Sequence, residues 1–360
     1  MRYNMLSCLS FFFLLMITGC KKDDLTPPRD TAPVRAMGDF IRNNYDLSLL
    51  AAAMQKTGLL DSLNQPGSFT CFAPDNKGFN EIGINSPADF DAMSPEALRL
   101  LVKYHVFNDR KYVSEFPLQM GNKYVTLAGP ELYVSVSNSP NATYTPPETR
   151  DVFVNGAMIY PAPKRNVALS NGVIHVIRKP LNFKPVTIQE YLQADTSLSI
   201  FVTVMKRCKL WDGLKEKGPF TVFVPDNEVF RKYNISPDSA TRLDPEKYQT
   251  IAFNIYPLAL KPKRIFSTDW VQVSGTYGPI SSMINVGNFA IKPAYEYNWY
   301  NNTENTYINM MDAIQGGFSN NGPSTIYYRK GFAVGTDQLT SNGLVHRIDD
   351  LLLDPATLRK

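Results

Sequence analysis

The chain has 360 residues, 44% of them hydrophobic and 19% charged, an ordinary globular balance able to fill sizeable cores and long enough for about two domains at roughly 100–200 residues each. Its 37 basic and 33 acidic residues leave a net charge of +4, and with no dense basic run that excess gives no electrostatic footprint for nucleic acid. Four cysteines fall short of any spaced metal motif.

Residues 1–19 read as a leader outside the fold. Arg2 supplies positive charge, and Leu6 to Ile17 is an apolar core centred on Phe11-Phe12-Phe13-Leu14-Leu15. That run is shorter than the about 20 residues of a membrane span and fits a secretory signal. Ile17-Thr18-Gly19-Cys20 resembles the lipobox of bacterial lipoproteins. The resemblance implies lipid attachment at Cys20, which becomes the new N-terminus; the alternative is a plain signal peptide with an incidental cysteine. Lys21-Lys22-Asp23-Asp24 resembles the surface-export signal of some Gram-negative lipoproteins. No other stretch is long and apolar enough to span a bilayer. Residues 20–35, with Pro27, Pro28 and Pro33, read as the anchor and a stiff solvated tether. Cys8 leaves with the leader, so Cys71 and Cys208 remain. They sit at different points of a repeat described next, so no disulfide is expected between them, and Cys71 reads as a small buried hydrophobe.

From Met37 a helical pattern begins. Leu49, Leu50, Ala53, Met54 and Leu60 share one side of a segment that Asp46 or Ser48 is placed to cap, and Gly58 suits its stop. Phe69 to Ala73 is a buried strand, apolar on both faces apart from Thr70. Pro74, lacking an N–H, ends the pairing, and Asn76 is placed to cap a helix reaching Phe79. A second helix runs from Ser94-Pro95 through Leu98, Leu101 and Val102 to Tyr104-His105-Val106-Phe107, with proline in its first turn. Short β-rich stretches follow at Tyr124–Leu127, Leu132–Val136 and Val152–Val154, separated by turns that include Asn155-Gly156. Ser170-Asn171-Gly172 then turns into a closing strand that carries His175.

The whole pattern returns. Phe69-Thr70-Cys71-Phe72-Ala73-Pro74-Asp75-Asn76 reappears 151 residues later as Phe220-Thr221-Val222-Phe223-Val224-Pro225-Asp226-Asn227. Leu198, Phe201, Val204, Met205 and Trp211 keep the apolar side of the first helix, whereas Lys209 replaces Gly58, so that stop is not shared. Asp244-Pro245-Glu246 answers the second helix start. Asn254-Ile255-Tyr256-Pro257 lacks the histidine. The closing strand with His346 follows the first by 171 residues. The growing offset leaves about 20 extra residues in the second copy, best placed between Pro293 and Ser324, a stretch rich in tyrosine and asparagine. A chain with such a repeat is built twice from one plan.

The Phe-Thr-x-Phe-x-Pro stretch with its polar cap and following phenylalanine, and the Asn-Gly-x-x-His closing strand, each present twice, resemble the fasciclin domain family. Tyr104-His105-Val106 adds to the resemblance in the first copy. The resemblance covers 36–182 and 186–354. It implies an α+β fold of two tandem fasciclin-like domains, each a β-sandwich-like wedge with packed α-helices. It also implies extracellular adhesion or matrix binding, with no catalytic residues and no cofactor. Phe72, Pro74, Asn76, His105, His175, Phe223, Pro225, Asn227 and His346 are then motif residues with structural roles. The departures are the histidine missing near Ile255, the aromatic insertion, and Arg178 and Arg347 near the closing strands.

The residues weigh the same way. Alternation puts His175 with Val173 and Ile177 on one face of its strand, a setting for a hydrogen-bonded core histidine; a metal needs three or four ligands close by, and none are supplied. Asp75 and Asp226 belong to separate repeats, and their shared position points to a local structural role. No nucleophile elbow, Walker loop, dinucleotide fingerprint or His-Glu-x-x-His occurs. The insertion offers the candidate binding residues Tyr295, Tyr297, Trp299 and Tyr300: alternating aromatics form a platform for a sugar or protein, or they simply cover one side of a sheet. The expected function is adhesion or binding by an exported, outer-membrane-anchored, surface-exposed protein, with a protein or glycan partner. The alternatives are an accessory subunit of an outer-membrane nutrient or glycan-uptake assembly and an enzyme built on the sheet.

Overall fold

The computed structural model describes residues 34–137, 146–254, 256, 264–269, 284–286, 289–298, 303–312, 324–327 and 335–360. The leader and Cys20, and with them Trp299 and Tyr300, lie outside the described residues. No helix among the described residues is long and apolar enough to cross a membrane.

The first repeat opens with helices α1 (Met37–Arg42), α2 (Ser48–Lys56) and α3 (Leu59–Ser62). The buried stripe of α2 is Leu49, Leu50, Ala53 and Met54, the spacing of one helix face. Neither Asp46 nor Ser48 caps α2: its N-cap is Leu47 without a side-chain bond, and the turn before it is capped by Asn44, which accepts from the Asp46 N–H. Then come β1 (Phe69–Pro74), α4 (Asn76–Asn80), α5 (Pro95–Tyr104) and β2 (Val106–Asn108). The meander β3 (Asn122–Val125), β4 (Glu131–Ser137), β5 (Asp151–Val154) and β6 (Ala157–Met158) follows, and β7 (Val167–Leu169) and β8 (Gly172–Ile177) close the repeat.

Strand β1 lies between β2, antiparallel, and β8, parallel, in a sheet ordered β2-β1-β8-β7. The meander forms its own sheet. Strand alternation divides the core in two. Cys71, Ala73, Ile174 and Val176 meet the helices, while Phe72 and Ile177 meet Leu132, Val134, Val152 and Val154 of the meander. Burial drives the Cys71 thiol up to about 12, which makes it an inert core residue; Cys208 is half-buried and also free.

The second repeat is α6 (Ile188–Ala194), α7 (Ser199–Arg207), β10 (Phe220–Pro225), α8 (Asn227–Lys232), α9 (Pro237–Thr241) and α10 (Ile251–Asn254), preceded by β9 (Phe183–Lys184). Its sheets hold β11 (Ile284–Val286), β12 (Phe289–Asn298), β13 (Thr303–Asp312) and β14 (Ser324–Tyr327), then β15 (Gln338–Thr340) and β16 (Gly343–Ile348). Strand β10 pairs parallel with β16 from Phe220↔Gly343 to Pro225↔Ile348, the same register as β1 with β8. The fold is α+β, with one strand-and-helix plan built twice.

Several expectations need correction. The helix stop is shared after all, because Lys209 takes the left-handed conformation of Gly58 (φ +58° and +73°). The counterpart of α5 is not one helix: Pro245–Lys247 is a single 3-10 turn, and α10 follows only at Ile251. Tyr256 stands where His105 stands, since the Phe223 N–H donates to the Tyr256 carbonyl as the Phe72 N–H does to that of His105. The extra residues lengthen a hairpin: β12 and β13 pair along ten residues each, from Phe289↔Asp312 to Asn298↔Thr303. Pro293 lies within β12, opposite Ile308 of β13 and beyond Ile291, the last β12 residue that pairs with β11 among the described residues. Finally, β9, in the join between the repeats, pairs with β15 and becomes an edge of the second repeat's sheet.

Candidate functional site

The polar residues shared by the two copies are committed to the scaffold. Asp75 and Asp226 are the N-caps of α4 and α8. Asp75 accepts from the Gly78 N–H at 2.9 Å, and Asp226 from Glu228 and Val229 at 3.0 and 3.1 Å. Asn76 and Asn227, expected as caps, are instead the first helical residues, and they reach to the preceding helix. Asn76 accepts from the Leu49 N–H and donates to the Tyr45 carbonyl and Ser48 hydroxyl. Asn227 repeats this with Ile200, Thr196 and Ser199.

Sequence reasoning missed a second pair. Asn171 accepts from the Met37 N–H and donates to the carbonyls of Leu63 and Gln65; Asn342 does the same with Ile188, Leu214 and Glu216. Each closing turn is thereby tied to the first helix of its repeat. The signal is the repeated Ser-Asn-Gly, which by itself indicates only a turn.

All three histidines are buried with both ring nitrogens engaged. His105 donates from Nδ1 to the Leu101 carbonyl and accepts at Nε2 from the Leu181 N–H. His175 donates from Nε2 to the Lys111 carbonyl and accepts at Nδ1 from Asn166. His346 donates to the Ile265 carbonyl and accepts from the Asp337 N–H and Thr336 hydroxyl. Burial lowers His105 and His175 to about 4 and lowers His346 as well. Neutral imidazoles with no free nitrogen serve neither a metal nor a general base. Among the described residues no group of three or more His, Cys, Asp or Glu side chains is placed to hold a metal ion.

Where the copies differ, they meet. Asn166 and Asp337 occupy one position: both have φ +57° and both donate an N–H to the closing-strand histidine. Asn166 binds its own repeat, through the Val113 N–H. Asp337 binds Ser267 through both N–H and hydroxyl, and also receives Lys179 of the first repeat at 2.8 Å. Burial pushes the Asp337 carboxyl up, but Lys179 and the other donors outweigh it and hold it below the usual range. Glu115 and Asp269 are a second such pair. Glu115 is exposed and accepts from the Tyr112 N–H. Asp269 accepts from the Phe266 N–H and is buried beneath the first repeat, where the Ser135 hydroxyl donates to it at 2.7 Å. Burial, with the negative charge of Asp337 adding to it, raises Asp269 to about 7 despite those two donors.

Apolar packing is continuous across this junction. Phe266, Leu339 and Leu344 of the second repeat join the cluster around Phe72, Tyr133 and Ile177 of the first. The Arg264 guanidinium lies 4.4 Å from the centre of the Tyr133 ring, and the Asn182 amide donates to the Gln338 side chain. Arg178 stacks over Tyr160. Arg347, at the place of Val176, ties Asp195 and Ser197 together within its own repeat. In the hairpin, the register sets Tyr295 opposite Thr306 and Tyr297 opposite Glu304.

A family model described as the fasciclin domain matches residues 45–183 and 196–254. Human periostin is 27% identical over 56% of this chain. The pig transforming growth factor-beta-induced protein ig-h3 is 31% identical over 49%, and fasciclin-1 of Schistocerca americana 25% over 51%. The matches cover 22%, 23% and 27% of those proteins' own lengths, about a quarter of each. A solved FAS1 domain pair from the insect cell adhesion molecule Fasciclin I aligns with 87% of this chain and 98% of its own, at 18% identity and a TM-score of 0.38. With the motif present twice in sequence, twice in register and matched over more than half of the residues, the chain belongs to the fasciclin domain family.

Proposed function

We propose that this protein is a lipid-anchored binding module at the outer surface of a cell: Cys20 holds the anchor, residues 20–35 space it, and the fasciclin pair presents a non-catalytic surface to a protein or glycan. The observation that carries the reading is the commitment of the shared polar motif side chains, Asp75, Asn76, His175 and Asn171 with their counterparts Asp226, Asn227, His346 and Asn342, to hydrogen bonds inside the fold. The repeated positions build a scaffold, so recognition falls to surfaces where the copies diverge. Membership of the fasciclin family, with relatives from periostin to fasciclin-1, supports adhesion over catalysis. Two domains on one anchor gain avidity wherever a partner repeats its epitope.

Metabolic labelling with a tagged fatty acid tests the anchor: label is expected on the intact protein and lost in Cys20→Ser. Protease shaving of intact cells tests exposure, and survival of the whole protein would refute a surface location. Pull-down from intact cells separates the two binding readings. A matrix or neighbouring-cell partner supports adhesion; a membrane transporter makes the protein an uptake accessory instead.

A further inference from the structure

Between the two domains lies a cavity of about 220 Å³. Glu131 and Tyr133 line it from the first domain, Phe183 from the joining strand, and Arg264, Thr340 and Ser341 from the second. Neither domain alone forms it. Its volume is below the roughly 300–1,000 Å³ of pockets that hold drug-sized molecules, which suits one sugar ring or a comparable small acid.

The charges in the walls are unequally matched. Glu131 is already engaged, by Lys123 at 3.3 Å and by the Tyr133 hydroxyl at 3.0 Å. Among the described residues, Arg264 has no such carboxylate partner. It rests on the Tyr133 ring, and its Nε is buried without a hydrogen-bond acceptor. A buried donor left unpaired is costly, and the planar fork of a guanidinium fits a carboxylate with two parallel hydrogen bonds. The hydroxyls of the cavity point the other way. Thr340 spends its proton on the Gly343 carbonyl and Ser341 on that of Val186, so toward a ligand both oxygens act as acceptors. An occupant must therefore bring negative charge for Arg264 and O–H donors for Thr340, Ser341 and Glu131. Tyr133 and Phe183 add aromatic walls for the C–H face of a ring.

We infer that this interdomain cavity binds a small hydroxylated carboxylate of the sugar-acid class, with Arg264 holding the carboxylate. The site is independent of the anchor and of the hairpin, and loss of Cys20 lipidation would leave it intact.

Saturation-transfer NMR and calorimetry on the full-length protein with D-glucuronate, D-glucose and acetate test it. Glucuronate is expected to bind, and glucose and acetate to bind at least tenfold more weakly. Arg264→Ala is expected to weaken glucuronate at least tenfold, and Arg264→Lys, which keeps the charge but loses the fork, by less. Thermal melts confirm that each variant is folded. Tighter binding of a glucuronate-terminated oligosaccharide than of free glucuronate would identify a glycan end as the source; the reverse would identify a free sugar acid. Three results would each overturn the assignment: no binding of glucuronate, acetate binding as well as glucuronate, or full affinity in a folded Arg264→Ala.

Discussion

At Asn76 and Asn227 one amide side chain ties two helices together, and the aspartate before it does the capping. The distinction is a matter of reach. The residue before the helix has extended backbone, and its carboxylate turns back onto the N–H groups of the first turn; one residue later the side chain points outward to the neighbouring helix. The buried histidines carry the clearest consequence of residue-scale chemistry. In the unfolded chain each titrates near 6.5, but His105 and His175 in the fold titrate at about 4. Their neutral forms contribute stability that is complete above about pH 6.5 and is lost as the pH falls through about 4. At about 1.4 kcal/mol for each pH unit separating the folded and unfolded values, each accounts for roughly 3 kcal/mol. Urea unfolding between pH 7 and 4 is expected to show this loss, and His105→Gln, which can still donate to Leu101 and accept from Leu181, is expected to flatten it. An unchanged slope in that variant would count against the assignment. Lys209 offers a second check. Its left-handed backbone costs a side-chain-bearing residue about 1–2 kcal/mol, partly offset by the chain freedom glycine loses on folding. Lys209→Gly is therefore expected to raise stability by about 0.5–1 kcal/mol, seen as a higher melting temperature.

Among the elements, β1 and β10 are the most constrained. Each is buried on both faces and joined in parallel to a closing strand far along the chain, which is why its sequence repeats so closely. The meander is where the copies drift in length: β4 has seven residues and β5 four, against ten in each of β12 and β13. The long β12–β13 hairpin of the second domain is the largest such change, and Tyr295 and Tyr297 lie in it, just before Trp299 and Tyr300 in the chain. If this hairpin takes part in recognition, Tyr297→Ala with Trp299→Ala should reduce glycan or protein capture on arrays at least tenfold while the melting temperature holds. Full capture by the folded double variant would assign these aromatics to sheet cover alone.

For the molecule as a whole, Arg35 to Lys360 form one compact unit, and the junction has its own pH dependence. Asp269 ionises at about 7 in the fold against 3.8 when free. Its protonated form is therefore favoured by folding: that stability is full below pH 3.8 and declines as the pH climbs to about 7. The histidines act in the opposite direction, and so does Asp337, whose carboxyl Lys179 holds below the usual range; acid therefore loosens the domain cores and the Lys179–Asp337 contact, while rising pH loosens the contact of Asp269 with Ser135. Hydrogen–deuterium exchange at residues 121–135 and 264–269, corrected for intrinsic rates, is expected to rise between about pH 5 and 8, and Asp269→Asn should remove most of that rise. A rise that persists in Asp269→Asn would show that another group controls it. Gly156 is the steric counterpart. It has φ +76°, and an added Cβ would run into the Asp337 carboxylate, so Gly156→Ala is expected to raise exchange at the same segments at every pH and to lower the melting temperature.

The amino-acid sequence by itself determined the two-fold plan, the family, the α+β class, the buried strands and the core face of each first helix. All of these rest on local periodicity or on a motif seen twice, which survive without knowledge of neighbours. It could not show that Asp337 and Asp269 are more than variants of Asn166 and Glu115, because what distinguishes them is Lys179 and Ser135 from the other domain. Nor could it reveal the capping aspartates, the asparagine clamps, the left-handed Lys209 or the cavity around Arg264. Those depend on which side chains distant segments bring within hydrogen-bonding distance, and only the tertiary structure decided that.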